Sequence, residues 1–450
     1  MENKDKLGFL SLFNMAVGMV IGAGIFTMLT EMVGVTGRSL CYAVALGAVL
    51  AIINSIPVVF LSSTIELEGG NYSQGMALLP PILAGINGII KQISLFGFGA
   101  YTLGMASYTL QLIPNASGLY KAVATIYLIL FFLFGLKGTK GAANIQNIMM
   151  VCLFLSLGVF IFRGLPAIEP GYFRQEGFYL GGASGFMYAS AMLSMSSMGA
   201  SSIISFTRES KNPKRDIPLA MFVGTLAVAI IYFLMAMVTA GVLPIEQVQG
   251  QNLGVVAEAF LSRPMYIFFV IGGALFAMGT SLNGLLAALP APFIKMAEDG
   301  WLPKFFLNRD KKFNYPYVIM GMYFIIGGIL PLVLNMNIAT ISAFFSFPNY
   351  LINVMVALAT LRIPTLYPNL WKKATFHCPK PLFVFLVLLG AASSVYLAYN
   401  FVANINTSLV IGMFVAMGIL SGYIVYRYKA GFVNIDYMME NLKDAPAEEE

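Results

Sequence analysis

Apolar runs of membrane length recur along the whole 450-residue chain, separated by polar segments that are mostly short. A helix needs about 20 predominantly apolar residues to cross the hydrocarbon core of a bilayer. The pattern predicts twelve membrane-spanning helices in one all-α domain covering 1–450. Their expected bounds are 9–34, 40–65, 86–113, 119–136, 143–164, 180–206, 217–243, 265–294, 316–334, 337–361, 381–403 and 407–427.

Two of these predicted spans contain small residues near their centres. The first span carries Gly22 and Gly24 within MVIGAGIFTML (19–29), and the sixth carries SMSSMGASS (194–202). Glycine inside a helix costs about 0.5–1 kcal/mol relative to alanine. Paired interruptions at matching places in two halves of a chain are typical of transporter sites built from broken helices. Close packing of membrane helices on small residues is the alternative explanation.

A broken helix frees backbone groups that a dipolar solute can satisfy. A carboxylate can accept hydrogen bonds from the N–H groups that begin a half-helix, and an ammonium can donate to freed carbonyls. A charged side chain at mid-membrane costs about 2.5–3.5 kcal/mol on insertion scales, and the acids and bases of this sequence fall towards the ends of the spans. The pattern therefore favours an amino-acid site made mainly of main-chain groups.

The composition and the charge distribution agree with a membrane protein. The chain is 58% hydrophobic and 10% charged, whereas soluble domains carry about 25% charged residues. If the amino terminus is cytoplasmic, five of the 26 Lys and Arg residues fall outside, namely Arg38, Lys121, Arg163, Arg174 and Arg263. The positive-inside rule then places both termini in the cytoplasm of a multi-pass cell-membrane protein. The net charge of +6 reflects topology, so we expect no nucleic-acid partner.

The sequence argues against an enzyme. Cys41, Cys152 and Cys378 lie far apart and form no metal-binding or redox spacing. The single histidine, His377, falls in a predicted cytoplasmic loop. The chain has no ATP-binding motif. We therefore expect no catalytic residues and no cofactor, apart from a coupling ion such as Na⁺ or H⁺.

Four segments resemble one transporter family. IGAGIF (21–26) resembles the first-span signature of the amino acid–polyamine–organocation (APC) transporters. RESKNPKRDIPLA (208–220) is similar to the family segment after span six, and it is the most specific match. KMAEDGWLPKFF (295–306) and ALATLRIPTLYP (357–368) resemble the loop after span eight and the end of span ten. The matches are distributed along the first ten predicted spans.

The resemblance implies a LeuT-type fold, in which two inverted five-span repeats are followed by two further helices. The repeats would cover about 9–164 and 180–361, the extra helices about 381–427, and a short cytoplasmic tail 428–450.

The resemblance also implies a substrate site made of backbone groups. The helix breaks would lie at Gly22, Gly24 and Gly199. The substrate carboxylate would contact the N–H groups of Ala23, Gly24 and Ile25, and the ammonium the carbonyls of Val20, Met195 and Met198. Ser201 occupies a position that is acidic in some relatives exchanging cationic amino acids, which argues against arginine-type or polyamine-type substrates.

The coupling ion is left open by the sequence. Thr280 and Ser281 match the hydroxyl pair that, with a span-one carbonyl such as that of Val20, completes a sodium site in sodium-dependent relatives. Some relatives carry a span-five lysine in place of the ion, and the matching position here is Leu153. Hydroxyls that bond back to their own helix are the alternative explanation for the pair. Sodium coupling and ion-free exchange both stay open.

The leading functional hypothesis is secondary active transport of small neutral amino acids across the membrane by alternating access. The alternatives are an amino acid/amine exchanger linked to decarboxylation and a nutrient sensor on the same fold. The amino acid and the lipid bilayer are the expected partners, and the sequence does not determine the oligomeric state.

Overall fold

The computed structural model describes residues 6–65, 69–93, 97–113, 116–135, 138–174, 178–207, 209–310, 314–336, 338–403 and 406–434. Within these ranges every regular element is helical, and strand-type pairing consists of one bridge between Leu7 and Ser210. The expected all-α class is confirmed. Most of the predicted tail, from position 435 onward, lies outside the described residues.

The described residues up to Gly164 form eight α-helices. In order they are α1 Phe9–Val20, α2 Ala23–Thr36, α3 Leu40–Thr64, α4 Gly70–Leu78, α5 Pro81–Lys91, α6 Gly97–Gln111, α7 Tyr120–Gly135 and α8 Gly138–Gly164.

The described residues from Gly182 onward contain more short segments. In order they are α9 Gly182–Ser196, a 3₁₀ helix Ala200–Phe206, α10 Pro213–Gly241, α11 Ile245–Val248, α12 Gly254–Phe260, α13 Arg263–Phe268, a π-helix Phe269–Leu275, α14 Phe276–Ala288, α15 Pro290–Glu298, α16 Tyr317–Met322, a π-helix Tyr323–Ile329, α17 Leu330–Val333, α18 Ile338–Thr360, α19 Ile363–Leu366, α20 Pro368–Lys372, α21 Lys380–Ala403 and α22 Thr407–Lys429.

Six helical stretches in the described part of the chain are long and apolar enough to cross a membrane. They are Gly24–Thr64, Gln146–Ala167, Pro213–Gly241, Arg263–Glu298, Lys380–Asn400 and Thr407–Lys429. Shorter apolar helices, among them Phe9–Val20 and Tyr120–Gly135, accompany them. These stretches make the chain a multi-pass membrane protein. The count of twelve spans and the inverted repeat stay predictions.

Helix α1 lies at the centre of the packing. It contacts α8, α10, α14 and the 3₁₀ helix Ala200–Phe206. Its side chains are correspondingly buried, with Leu12, Met15 and Val17 fully shielded from solvent. The end of α1 is therefore surrounded by protein, and irregular backbone at membrane depth is tolerated where it is buried in protein or lines a cavity.

A polar corner joins α4 to the end of α15. The Tyr72 hydroxyl donates a hydrogen bond to Oδ2 of Asp299 at 2.7 Å, and the Lys295 ammonium lies 3.2 Å from Oδ1 of the same carboxylate. Asp299 is 2% exposed. Burial raises the pKa of Asp299 above its ordinary value, while Tyr72 and Lys295 act in the opposite direction. The corner fixes the turn that follows α15.

Candidate functional site

The first predicted span is divided between two helices. Helix α1 ends at Val20, Ile21 and Gly22 are extended, and α2 begins at Ala23. The first N–H groups of a helix have no acceptor within that helix. Gly22, at the N-cap position of α2, offers no side-chain oxygen to them. The start of α2 thus presents unpaired amides, including those of Gly24 and Ile25, at a positive helix end.

Close contacts explain the two glycines beside this interruption. A Cβ atom on Gly22 would collide with the Ser281 hydroxyl of α14, and one on Gly24 would lie 2.6 Å from the Ser196 hydroxyl of α9. Real Cβ atoms do not approach other atoms so closely. Both positions therefore require glycine for space, because two other helices come against the interruption.

A second interruption follows α9. The helix ends at Ser196, and the 3₁₀ helix begins at Ala200 after Gly199, whose φ is +128°. This conformation is unfavourable for residues with a side chain. A Cβ atom on Gly199 would lie 2.5 Å from the Met19 carbonyl oxygen. The two interrupted segments therefore touch, backbone against backbone.

A cavity of about 200 Å³ lies where the two interruptions meet. It collects most of the predicted site residues, namely Val20, Gly22, Gly24, Met195, Met198, Gly199 and Ser201. Ala23 supplies the first residue of α2. The side chain of Ile25 is fully buried in the core. The cavity is consequently bordered by both ends of each interrupted segment.

Two serines in the cavity wall were not singled out by sequence reasoning. Ser196 and Ser197 are 5% and 1% exposed, and both line the cavity. Neither hydroxyl finds a hydrogen-bond partner among the described residues. Buried polar groups in native proteins are almost always hydrogen-bonded, so these hydroxyls are candidates for contacts to a ligand once they rotate towards the cavity. Sequence alone gives no such signal, because helical serines usually bond to their own backbone.

The carbonyls predicted to bind an ammonium already accept hydrogen bonds within the protein. The Val20 carbonyl accepts from the Tyr232 hydroxyl at 3.0 Å, and the Met195 carbonyl accepts from the Met198 amide at 3.1 Å. A carbonyl oxygen has two lone pairs, so the Val20 carbonyl retains capacity for one more donor, whereas the Met195 carbonyl also accepts from the Ser197 amide. Tyr232 is a further residue that sequence reasoning missed.

The described lining of the cavity contains no carboxylate. Lys91 is its charged residue, and Gln92, Asn54, Asn349 and Asn353 add amides. Six apolar residues complete much of the wall, namely Met19, Met28, Val58, Met195, Met198 and Met221. Methionine side chains are flexible and adapt to varied apolar groups. The cavity therefore combines polar backbone with an adaptable apolar surface.

The predicted hydroxyl pair, Thr280 and Ser281, lies beside the first interruption, at the last carbonyls of α1 and that of Ile21. Thr280 and Ser281 are fully buried, and Ser281 donates to the Gly18 carbonyl at 2.9 Å. The Thr280 hydroxyl lies 3.2 Å from the same carbonyl and 2.8 Å from the Ala277 carbonyl of its own helix, so Thr280 also bonds back to its own helix. Ser281 also lies 3.2 Å from the Ile21 carbonyl oxygen. The span-one carbonyls at this place are thus Gly18 and Ile21, whereas the Val20 carbonyl faces Tyr232. Leu153, where some relatives carry lysine, is fully buried.

The sequence matches a family model over nearly its whole length. The model is described as an amino acid permease, and the match covers residues 7–425. This range includes α1 to α21 and all but the last residues of α22.

Individual relatives are more distant. The branched-chain amino acid permease BcaP of Bacillus subtilis is 23% identical, over 84% of each chain. An uncharacterized protein of Methanocaldococcus jannaschii is 29% identical, over 69% of this chain and 72% of its own length. The vacuolar cationic amino acid transporter 4 of Arabidopsis thaliana is 24% identical, over 69% of this chain and 55% of its own length. The relatives with assigned activities are transporters, not enzymes.

Proposed function

Since this chain belongs to the amino acid permease family, we propose that it carries small neutral amino acids across the cell membrane by secondary active transport. The observation that carries the proposal is the cavity shared by the two interrupted segments, which contact each other at Gly199 and Met19. Such a cavity is bordered by the first N–H groups of α2, which lack acceptors within the helix, and by the Val20 carbonyl, which has room for a second donor. A zwitterionic amino acid is the small solute that satisfies both.

The substrate carboxylate would bind at the start of α2. The N–H groups of Ala23, Gly24 and Ile25 belong to the first turn of that helix, where an anion is favoured by the helix dipole and by orphan amides. The ammonium would donate to the Val20, Met195 and Met198 carbonyls, and at Met195 it would replace one of the two amides from which that carbonyl accepts. The Ser196 and Ser197 hydroxyls, which are buried and lack partners among the described residues, would supply further contacts.

A neutral side chain suits the described lining of the cavity. The named activities of relatives include branched-chain and cationic amino acid transport. A cationic side chain would need a carboxylate or a comparable counter-charge when it is removed from water. The described lining offers Ser201 and methionines instead. We therefore assign neutral amino acids rather than cationic ones as the substrate class.

Transport by alternating access would follow from the predicted architecture of twelve spans in two inverted repeats with two extra helices. The interrupted helices can change the angle between their halves without breaking hydrogen bonds inside either half. Such motion would open the cavity to one side of the membrane at a time. Both termini would lie in the cytoplasm, as the distribution of Lys and Arg indicates.

The Thr280–Ser281 pair would hold Na⁺ if transport is coupled to sodium. The donor set suits such an ion, because two hydroxyl oxygens and the Gly18 and Ile21 carbonyl oxygens converge there. Oxygen atoms are the ligands that hard cations prefer. The ion would supply charge that holds the end of α1 against α14. Proton coupling and ion-free exchange are the competing possibilities.

Reconstitution of the purified protein in liposomes tests this function. A panel of labelled neutral, cationic and acidic amino acids, together with their amines, is offered under a sodium gradient, a proton gradient or no gradient. We expect saturable uptake and counterflow with neutral amino acids. Uptake of amines without uptake of neutral amino acids would overturn the substrate class and favour an amine exchanger. Binding without flux would favour a sensor.

A further inference from the structure

Helix α22 ends in a reversal that brings the chain back over the turn after α15. The Gly431 amide donates to the Tyr428 carbonyl at 3.1 Å, and the Phe432 amide donates to the Arg427 carbonyl at 3.2 Å. This pair of bonds, with a φ of +72° at Gly431, is the glycine-terminated helix end known as the Schellman motif. The reversal directs residues 432–434, which we call the C-terminal strap, towards the end of α15.

Helix α15 ends in the same motif. The Gly300 amide donates to the Ala297 carbonyl at 3.2 Å, and the Trp301 amide donates to the Met296 carbonyl at 2.9 Å. The φ of Gly300 is +85°, again the conformation that this motif requires. The carbonyls at the end of a helix have no amide partners further along it, so groups from elsewhere can bind them.

The two helix ends are bonded to each other. Nη2 of Arg427 donates to the Gly300 carbonyl at 2.8 Å and to the Leu302 carbonyl at 3.3 Å. The Asn434 amide of the strap donates to the Asp299 carbonyl at 3.2 Å. Hydrogen bonds from a charged donor are stronger than those between neutral groups. Arg427 and the strap therefore supply partners for three successive parts of the turn after α15.

Close packing accompanies these hydrogen bonds. A Cβ atom on Gly300 would collide with the Phe432 carbonyl oxygen of the strap. The centre of the Phe432 ring lies 4.1 Å from the guanidinium carbon of Arg427, within the range of a cation–π contact. Trp301 is fully buried, and its ring stacks on that of Tyr428 with centroids 6.1 Å apart. The end of α15 is thus held against α22 by backbone, charge and ring contacts together.

The bonded helix ends belong to the corner that borders the central cavity. Asp299 accepts a hydrogen bond from Tyr72 of α4. Helix α4 begins at Gly70, where a Cβ atom would lie 2.7 Å from Oγ of Ser205 and 3.4 Å from Cγ of Pro292. Ser205 and Pro292 both line the central cavity. The strap therefore fixes one end of the wall that borders the cavity at this corner.

We propose that the C-terminal strap is a brake on the opening of the central cavity at this corner. To widen the cavity there, α15 must move away from the 3₁₀ helix that carries Ser205. While the strap is bound, this motion pulls the end of α15 away from α22 and breaks the hydrogen bonds to Gly300 and Asp299. Release of the strap removes the restraint, so the cavity opens more often. The inference rests on the proposed function, because it takes the central cavity as the substrate site.

Alkylation of a single cysteine in the cavity wall tests the brake. Ser205→Cys is introduced into a chain whose three native cysteines are replaced by alanine, and the purified protein in nanodiscs is treated with a charged maleimide. A chain ending at Gly431 lacks the strap, whereas a chain ending at Asn434 keeps it and is the matched control. We expect the first to react about tenfold faster than the second, because the loss of one or two hydrogen bonds shifts an opening equilibrium by about that factor.

Substitutions of the two glycines test the helix ends in the full-length chain. Gly431→Ala strains the reversal through its positive φ, although nothing lies within 4 Å of the new atom, and should speed alkylation. Gly431→Asn should restore the slow rate, because asparagine tolerates the left-handed conformation. Gly300→Asn should react fast despite the same tolerance, because its Cβ atom would meet the Phe432 carbonyl.

Equal alkylation rates in the chains ending at Gly431 and at Asn434 would overturn the brake. A lower melting temperature of the chain ending at Gly431, with an unchanged alkylation rate, would likewise leave the strap a purely structural role. In both cases neutral amino acid transport would stand. Absence of transport in the wild type and in every variant would overturn the proposed function, whereas the alkylation rates would still decide whether the strap restrains the cavity.

Discussion

Gly199 lies against the carbonyl oxygen of Met19, so closely that a Cβ atom would be 2.5 Å from that oxygen. The contact joins the segment after α9 to the end of α1, which are 180 positions apart in the sequence. It also borders the central cavity. Two backbones approach in this way when no side chain stands between them. The contact therefore sets the width of the proposed site.

Gly199→Ala should disrupt this contact. The φ of +128° and the clash with Met19 are expected to cost about 1–3 kcal/mol and to separate the interrupted segments, so we expect greatly reduced uptake. Initial rates in proteoliposomes and thermal unfolding measure the two effects. Gly418→Ala in α22 has open space around the new atom and should retain full uptake. Normal uptake by Gly199→Ala would show that the close approach is dispensable.

Ser196→Ala and Ser197→Ala should weaken substrate binding without loss of stability. Their hydroxyls are buried in the cavity wall without a partner among the described residues, so their removal breaks no described hydrogen bond. We expect KM to rise by up to about tenfold for a substrate that loses one hydrogen bond, with an unchanged or higher melting temperature.

The control for the serine variants is Ser190→Ala. Its hydroxyl donates to the Phe186 carbonyl of the same helix at 2.8 Å, and it should transport with the KM of the wild type. A lower melting temperature with unchanged KM in Ser196→Ala and Ser197→Ala would assign these hydroxyls a structural role instead.

The double variant Thr280→Ala with Ser281→Ala tests the sodium site. Two of the four converging oxygens are lost, while the Gly18 and Ile21 carbonyls remain. If Na⁺ binds here, stimulation of uptake by a sodium gradient should disappear. Thr239→Ala is a suitable control, since its buried hydroxyl bonds to its own helix at Met235. Equal sodium stimulation in the double variant and the wild type would remove this site from the mechanism.

Asp299→Asn should change the dependence of stability on pH. Burial raises the pKa of Asp299 in the folded protein, so the folded state holds this proton more tightly than the unfolded state. The group therefore contributes its full stabilisation below its ordinary pKa and loses it as the pH rises through the folded-state pKa. The melting temperature of Asp299→Asn, relative to that of the wild type, should accordingly increase as the pH rises above the ordinary aspartate pKa of about 4.

A second variant separates the carboxylate from its hydrogen bond. Tyr72→Phe removes the hydroxyl that donates to Asp299. Since this hydrogen bond favours the ionised form, its loss should extend the destabilisation to higher pH. A constant difference between Asp299→Asn and the wild type across the pH range would contradict the prediction.

The sequence by itself determined the helical membrane class and the family. Long apolar runs depend on composition alone, and the family motifs are continuous segments such as RESKNPKRDIPLA. It also pointed to the small residues around Gly22 and Gly199, because glycine inside a helix is unfavourable wherever it occurs. These are properties of neighbouring residues in the chain, which a sequence displays directly.

The tertiary structure decided which groups meet. The sequence assigned the carbonyl of Val20 to the hydroxyl pair, but the structure places those of Gly18 and Ile21 there and pairs Val20 with Tyr232. Within the described part of the chain, it also left the Ser196 and Ser197 hydroxyls without partners, and it placed Glu31 and Lys121 in one cavity. These relationships depend on the angles at which distant helices cross and on which lone pairs are already occupied. Side-chain packing across the whole molecule sets both, and no local pattern in the sequence records them.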